Sequence, residues 1–268
     1  MENNSIIGEA RSEMKKNPEF VILKTALIFI LILGYNISES VAGSPWQWDR
    51  VLKQEQTKDA MLMPTALFID ADKEIYYIVD SGRNRLLSFN RKGELLQAFN
   101  AGKSLSIPYD MVKTDDKGVW IVEKGRNSLS YINLKKKNVT PNTLTYKGEL
   151  VYPDRIESDS GLLYVLNKAT GNIISYSDKL VPVNRFSCSE CPWGFVDFKI
   201  HDQKIWALDQ AEKTIRCFNL KGEPVKTFEL GNSVNFPTSL AIGPSGFIYV
   251  LDRQRRNITV YDRHGSFK

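Results

Sequence analysis

The sequence predicts an all-β chain folded as a propeller of five four-stranded blades, on three observations. A short motif recurs every 42 to 44 residues, as Tyr77-Ile78-Val79-Asp80, Trp120-Ile121-Val122-Glu123, Tyr164-Val165-Leu166-Asn167, Trp206-Ala207-Leu208-Asp209 and Tyr249-Val250-Leu251-Asp252. A period of that length marks a repeat architecture. The register holds within each unit, because a large apolar residue (Phe89, Ile132, Tyr176, Phe218, Tyr261) follows nine positions after each acidic or amide residue. Finally, apolar runs of four to six residues are broken by Lys92-Gly93, Lys117-Gly118, Ser160-Gly161 and Lys221-Gly222, as in antiparallel strands joined by tight turns. After residue 50 turn residues arrive too often for helices of ordinary length, so each unit reads as one blade.

Each unit opens on punctuation of its own: Pro64, Pro108, Pro153 and Pro237, with Gly194 in the corresponding place of the fourth. The stretch from Pro64 to Phe99, with Asp80-Ser-Gly-Arg-Asn-Arg-Leu-Leu-Ser-Phe89 and Lys92-Gly93-Glu94, resembles an NHL repeat, and Pro237 to Gly265 is nearly as close. The second and fourth units are looser, and the third keeps the Pro, the strand and the aromatic. The resemblance spans residues 44–268 and implies the propeller fold. It leaves function open, since such propellers include binding scaffolds, signalling ectodomains and a few enzymes.

The fifth unit reaches Lys268 just after its third strand and turn, Asn257 to Gly265. Trp46 to Leu52 has strand-like composition with nothing of its own to pair with, so it is expected to supply the outer strand and close the ring without a free edge. Residues 1–42 are a separate segment ahead of the propeller at 43–268. Phe20 to Gly34 is mostly apolar, follows Lys15-Lys16 and precedes Val41-Ala42-Gly43. A membrane-spanning helix wants about 20 apolar residues, so the run reads as a secretory signal cut near Ala42. An uncleaved signal anchor, retaining residues 20–35 in the membrane, is the rival. Either way the propeller is expected to be exported, to the periplasm or outside the cell.

Residues 43–268 carry 32 basic and 26 acidic side chains, a net charge of +6. This mild excess gives no argument for nucleic acid and leaves room for an anionic surface. Cys188-Ser-Glu-Cys191 lies between the third and fourth blades. Export favours a small structural disulfide, with free thiols, half a zinc site or a redox couple as the other readings of the spacing. Cys217, on a third strand, reads as a packing residue.

No catalytic residue, metal ligand set or cofactor site can be assigned. His201 and His264 fall in turns of different blades, and neither a Gly-x-Ser-x-Gly elbow nor a phosphate loop is present. The recurring Asp80, Glu123, Asn167, Asp209 and Asp252 end second strands, where a short polar side chain caps nearby backbone amides; a carboxylate ring facing the channel is the competing reading. The turns that follow carry Arg83, Arg85, Arg126, Lys168, Lys213, Arg253, Arg255 and Arg256, all on one face. Such a rim attracts an acidic protein or an anionic surface. Solvated turns of any basic protein would look the same. Trp46, Trp48 and Trp193 are candidate anchors for a partner. The expectation is an exported, noncatalytic propeller that binds or assembles proteins. The alternatives are a metal-dependent propeller enzyme of the lyase or lactonase type and a membrane-anchored sensory ectodomain.

Overall fold

The computed structural model describes Leu52 and residues 60–114, 118–133, 136 and 138–268. Within them the chain forms successive antiparallel sheets, each a meander in sequence order. Blade I holds β1 (Pro64–Asp70), β2 (Ile75–Asp80), β3 (Arg85–Phe89) and β4 (Leu95–Phe99). Blade II holds β5 (Pro108–Lys113), β6 (Gly118–Glu123), β7 (Ser128–Asn133) and β8 (Asn138–Asn142). A short hairpin, β9 (Leu144–Tyr146) and β10 (Glu149–Val151), precedes blade III. Blade III holds β11 (Pro153–Asp159), β12 (Leu162–Asn167), β13 (Asn172–Tyr176) and β14 (Pro182–Phe186). Blade IV holds β15 (Asp197–His201), β16 (Lys204–Asp209), β17 (Thr214–Asn219) and β18 (Pro224–Glu229). Blade V shows β19 (Pro237–Ile242), β20 (Ile248–Asp252) and β21 (Asn257–Tyr261). The protein is thus an all-β, five-blade propeller.

The repeated residues explain the repeated geometry. In blades I, II, III and V the register shifts by one residue just after the opening proline, as between Pro64 and Ala66. Proline suits a bulge because it has no amide hydrogen to place in the ladder. The turns from third to fourth strand in blades I and IV are built alike. Asn90 Oδ1 accepts from the amides of Lys92 and Glu94, and Asn219 Oδ1 from those of Lys221 and Glu223. The glycines that follow, Gly93 and Gly222, sit at φ 82° and 91°, where a side chain would be strained. The hairpin β9–β10 was not foreseen from the sequence; its turn, Lys147-Gly148, has both φ angles positive, at 52° and 86°, as a two-residue primed turn requires.

Alternate residues of each blade face the blade before and the blade after, and the core is made of these junctions. The inner strands pack side by side, β1 on β5, β5 on β11, β11 on β15 and β15 on β19; no comparable packing joins β19 back to β1 among the described residues. Burial follows suit. Val79, Val122, Leu166 and Leu208 are at most 1% exposed, whereas Leu251, at the same repeat position in blade V, is 42% exposed. Leu67 on β1 is 57% exposed, while its counterparts Met111, Ile156, Phe198 and Leu240 are at most 3%. Among the described residues blades V and I therefore each present an apolar flank. The expected closing strand, Trp46 to Leu52, lies outside the described residues except for Leu52, which packs on Ile78, Leu87 and Phe89 of blade I. A fourth strand of blade V is begun by the tail, where Phe267 pairs with Tyr261 and the Lys268 amide donates to the Val260 carbonyl.

Candidate binding face at the channel mouth

The ends of the second strands and the starts of the inner strands meet on one face, since Pro64 lies opposite Asp80, Pro108 opposite Glu123, Pro153 opposite Asn167 and Pro237 opposite Asp252. The repeated polar residues are buried there and bond to backbone. Asp80 Oδ1 accepts from the amides of Leu62 and Met63, both at 3.0 Å. Glu123 accepts from Ser106 N, and Asn167 from Tyr152 N and Ala169 N. Asp252 accepts from the amides of Asn235, Phe236, Gln254 and Arg255. Burial pushes its carboxyl up, but these amides outweigh it and hold the group below the usual aspartate range. The acids clasp the loops that enter their own blades.

This clasp throws one side chain outward per blade. The carbonyl of the residue before the proline accepts from the residue after the cap: Met63 from Ser81 N, Ile107 from Lys124 N, Tyr152 from Lys168 N and Phe236 from Arg253 N, at 2.8–3.0 Å. With their backbone held, the side chains of Met63, Ile107, Tyr152 and Phe236 stand 39–47% exposed. Ile107 does so at φ 49°, a left-handed conformation that costs a β-branched residue about 1–3 kcal/mol. In blade IV the arrangement differs. Asp209 Oδ1 bonds to its own turn, at Ala211 N and Glu212 N, and its Oδ2 is buried without a partner among the described residues. The entering loop is braced by a Cys188–Cys191 disulfide and by Gly194, which abuts Gly171 so closely that a Cβ at either would lie within 2.6 Å of the other glycine's Cα. At its tip Trp193 is 76% exposed. Five large apolar side chains, one from each blade, thus collar the start of the inner strands. Of these the sequence reading singled out Trp193 alone; the signal for the others was a large apolar residue immediately before each opening proline.

Around the collar lie the basic turns. Lys168, Arg253 and Arg256 are exposed. Arg83 Nε donates to the Ala60 carbonyl, Arg126 to that of Ser104, and Arg255 Nη2 to that of Asn232, so each also pins a loop. Lys213 is half-buried at φ 53°. Arg85 does not belong to the rim: it is 6% exposed and its Nε bonds to Asp80 Oδ2 at 2.9 Å. With the capping acids buried beneath, the accessible charge of this face is chiefly positive.

Below the mouth, ion pairs tie the inner strands together. Lys113 bonds to Asp70, Lys199 to Glu157, and Arg155 Nε lies 3.6 Å from Asp197. Asp197 Oδ2 also accepts from Ser239 Oγ and Leu240 N, both at 2.8 Å. Asp110 accepts from the amides of Met111 and Ile156. Burial raises its carboxyl to about 6, against the pull of Lys199 and Arg155. Among the described residues no three His, Cys, Asp or Glu side chains gather so as to hold an ion. His201 ends β15, while His264 sits in the turn after β21.

The raised Asp110 carboxyl makes folding depend on pH. The folded protein binds its proton more tightly than the unfolded chain, so folding stability falls as pH rises from about 4 to about 6. At 1.36 kcal/mol per unit the loss is about 1–3 kcal/mol. Asp110→Asn, which keeps an acceptor for the Ile156 amide, is expected to match the parent at about pH 3.5 and exceed it in denaturant unfolding at about pH 7.5. An equal difference at both pH values would refute this.

No protein-family model matches the chain, and no curated protein sequence does so either. Solved structures do. A catalytically inactive virginiamycin B lyase from Staphylococcus aureus, determined with quinupristin, superposes with a TM-score of 0.61 at 15% identity, over 76% of this chain and 68% of that one. A streptogramin B lyase gives 0.60 at 13%, over 76% and 67%. A gluconolactonase from Xanthomonas campestris gives 0.62 at 11%, over 76% and 74%. At these identities the likeness establishes the propeller fold.

Proposed function

We propose that this protein is an exported, noncatalytic propeller that binds a protein partner on the collared face. The observation that carries the reading is the apolar collar, one residue from each blade, set inside a basic rim. Monomer surfaces rarely expose apolar groups as a contiguous patch, and aromatic anchors ringed by charge are the anatomy of a protein interface. The rim favours a partner segment bearing acidic residues beside its apolar ones. Export is supported by the N-terminal run and its flanks; recovery of the exported protein with a mass corresponding to residues 43–268 would fit cleavage, and retention of residues 20–35 an anchored ectodomain. The motif-like stretches at Pro64 to Phe99 and Pro237 to Gly265 support an NHL-like reading of the blades.

The test is capture of partners from the native cells with the wild-type protein and with Trp193→Ala/Phe236→Ala. Loss of two central anchors is expected to weaken a specific partner by at least about 30-fold, with thermal unfolding unchanged, since both side chains are exposed. A partner retained undiminished by the double variant would refute this face. The structural neighbours favour one second reading, a propeller enzyme of the lyase or lactonase type. A stoichiometric divalent ion kept through dialysis, with turnover of a lactone, would move the assignment there.

A further inference from the structure

At the opposite end of the propeller a cleft of 740 Å³ opens between blades II and III. One position in its lining departs from blades I, III and IV. The outer strands β4, β14 and β18 place Phe99, Phe186 and Phe228 opposite Leu86, Ile173 and Ile215. In blade II the residue opposite Leu129 is Asn142. Three blades thus carry a large ring where blade II carries a small amide.

What lines the opening has a defined chemistry. One wall is aromatic: the half-buried Tyr131 is backed by Trp120, only 9% exposed, with ring centroids 5.0 Å apart and tilted by 55°. Position 118 is glycine because a Cβ there would come within 2.2 Å of the Tyr131 ring. The other blades have Ser88, Ser175, Cys217 and Val260 in the place of Tyr131, so this wall is particular to blade II. The lining also includes Asp159 at the end of β11, Asp178 in the turn after β13, and Thr140 and Asn142 on β8. The Asn142 Nδ2 donates to the carbonyls of Leu129 and Thr140, which leaves its oxygen as an acceptor. Among the described residues the one cationic side chain in the lining, Lys113, bonds to Asp70.

We propose that this cleft binds a neutral saccharide of one or two rings. The volume lies in the range of small-molecule sites, about 300–1,000 Å³. An aromatic wall accepts the C–H face of a pyranose, and the carboxylates, hydroxyl and amide oxygen accept from its hydroxyl groups. Two carboxylates with the lysine already engaged disfavour an anion. The inference is independent of the collared face.

Saturation-transfer NMR and tryptophan fluorescence titration of the protein with glucose, galactose, N-acetylglucosamine, maltose and cellobiose test it, with gluconate as the anionic control. At least one neutral sugar is expected to bind, and gluconate not to. Asn142→Phe, which installs the residue of blades I, III and IV, is expected to abolish binding; Tyr131→Ala and Asp178→Asn are each expected to weaken it by about tenfold or more. Phe236→Ala on the opposite face should leave it unchanged. If no neutral sugar binds at concentrations up to about 50 mM, or if binding survives Tyr131→Ala and Asp178→Asn undiminished, the proposal fails.

Discussion

Leu208→Ala is expected to destabilise the propeller by about 2–5 kcal/mol, whereas Leu251→Ala, the same substitution one repeat later, is expected to cost under about 1 kcal/mol. Both leucines are the third residue of the recurring motif and both face the following blade. Leu208 is fully buried in the junction with blade V, among Ile215, Leu240 and Val250, so truncation leaves a cavity in a closely packed core. Leu251 has no such junction among the described residues and is 42% exposed, so truncation removes little buried surface. Urea unfolding of the two variants beside the parent gives the comparison. Equal costs would mean that blade V is covered in solution as tightly as the other four, which would contradict the open flank.

Asp80→Ala is expected to cost about 3–5 kcal/mol. Two losses add. The Leu62 and Met63 amides lose their acceptor, and Arg85, 6% exposed, is left as a buried guanidinium without its carboxylate. Asp209→Ala, at the matching position of blade IV, should cost only about 1–2 kcal/mol, because its bonds lie within its own turn and the entering loop is braced by the disulfide instead. Proteolysis offers a second readout: the Asp80 variant should be cut first in the loop at residues 60–63, which its side chain no longer holds. If the two aspartates prove equal in unfolding experiments, the clasp has been misassigned.

The blades were legible in the sequence because strand, turn and cap residues act locally. The prolines mark bulges and the short polar residues mark caps, and each does so through its own backbone or a neighbour's. The capping role of Asp80, Glu123, Asn167 and Asp252 is what recurrence at a strand end implied, and the structure places their oxygens on backbone amides rather than in a carboxylate ring. The basic rim was legible as a set of turns, but the burial of Arg85 was not, since a charged residue in a turn gives no sign of which carboxylate will claim it. The collar escaped notice for a related reason. A large apolar residue beside a strand reads as core, and only the path of the loop, fixed by hydrogen bonds across the blade, turns Met63, Ile107, Tyr152 and Phe236 to solvent.

By itself the sequence determined the fold class, the number of blades, their boundaries and the face on which the caps and basic turns gather, all consequences of a periodic pattern of strand and turn preferences read over about 43 residues. Only the tertiary structure decided which equivalent positions are equivalent in environment. Leu208 and Leu251 are indistinguishable by repeat position, yet one lies between two blades and the other on a flank; Asn142 is an ordinary polar residue until the phenylalanines of three other blades show what it leaves unfilled. The physical reason is that secondary structure follows from near neighbours along the chain, whereas burial, charge pairing and cavities follow from what the next blade places opposite.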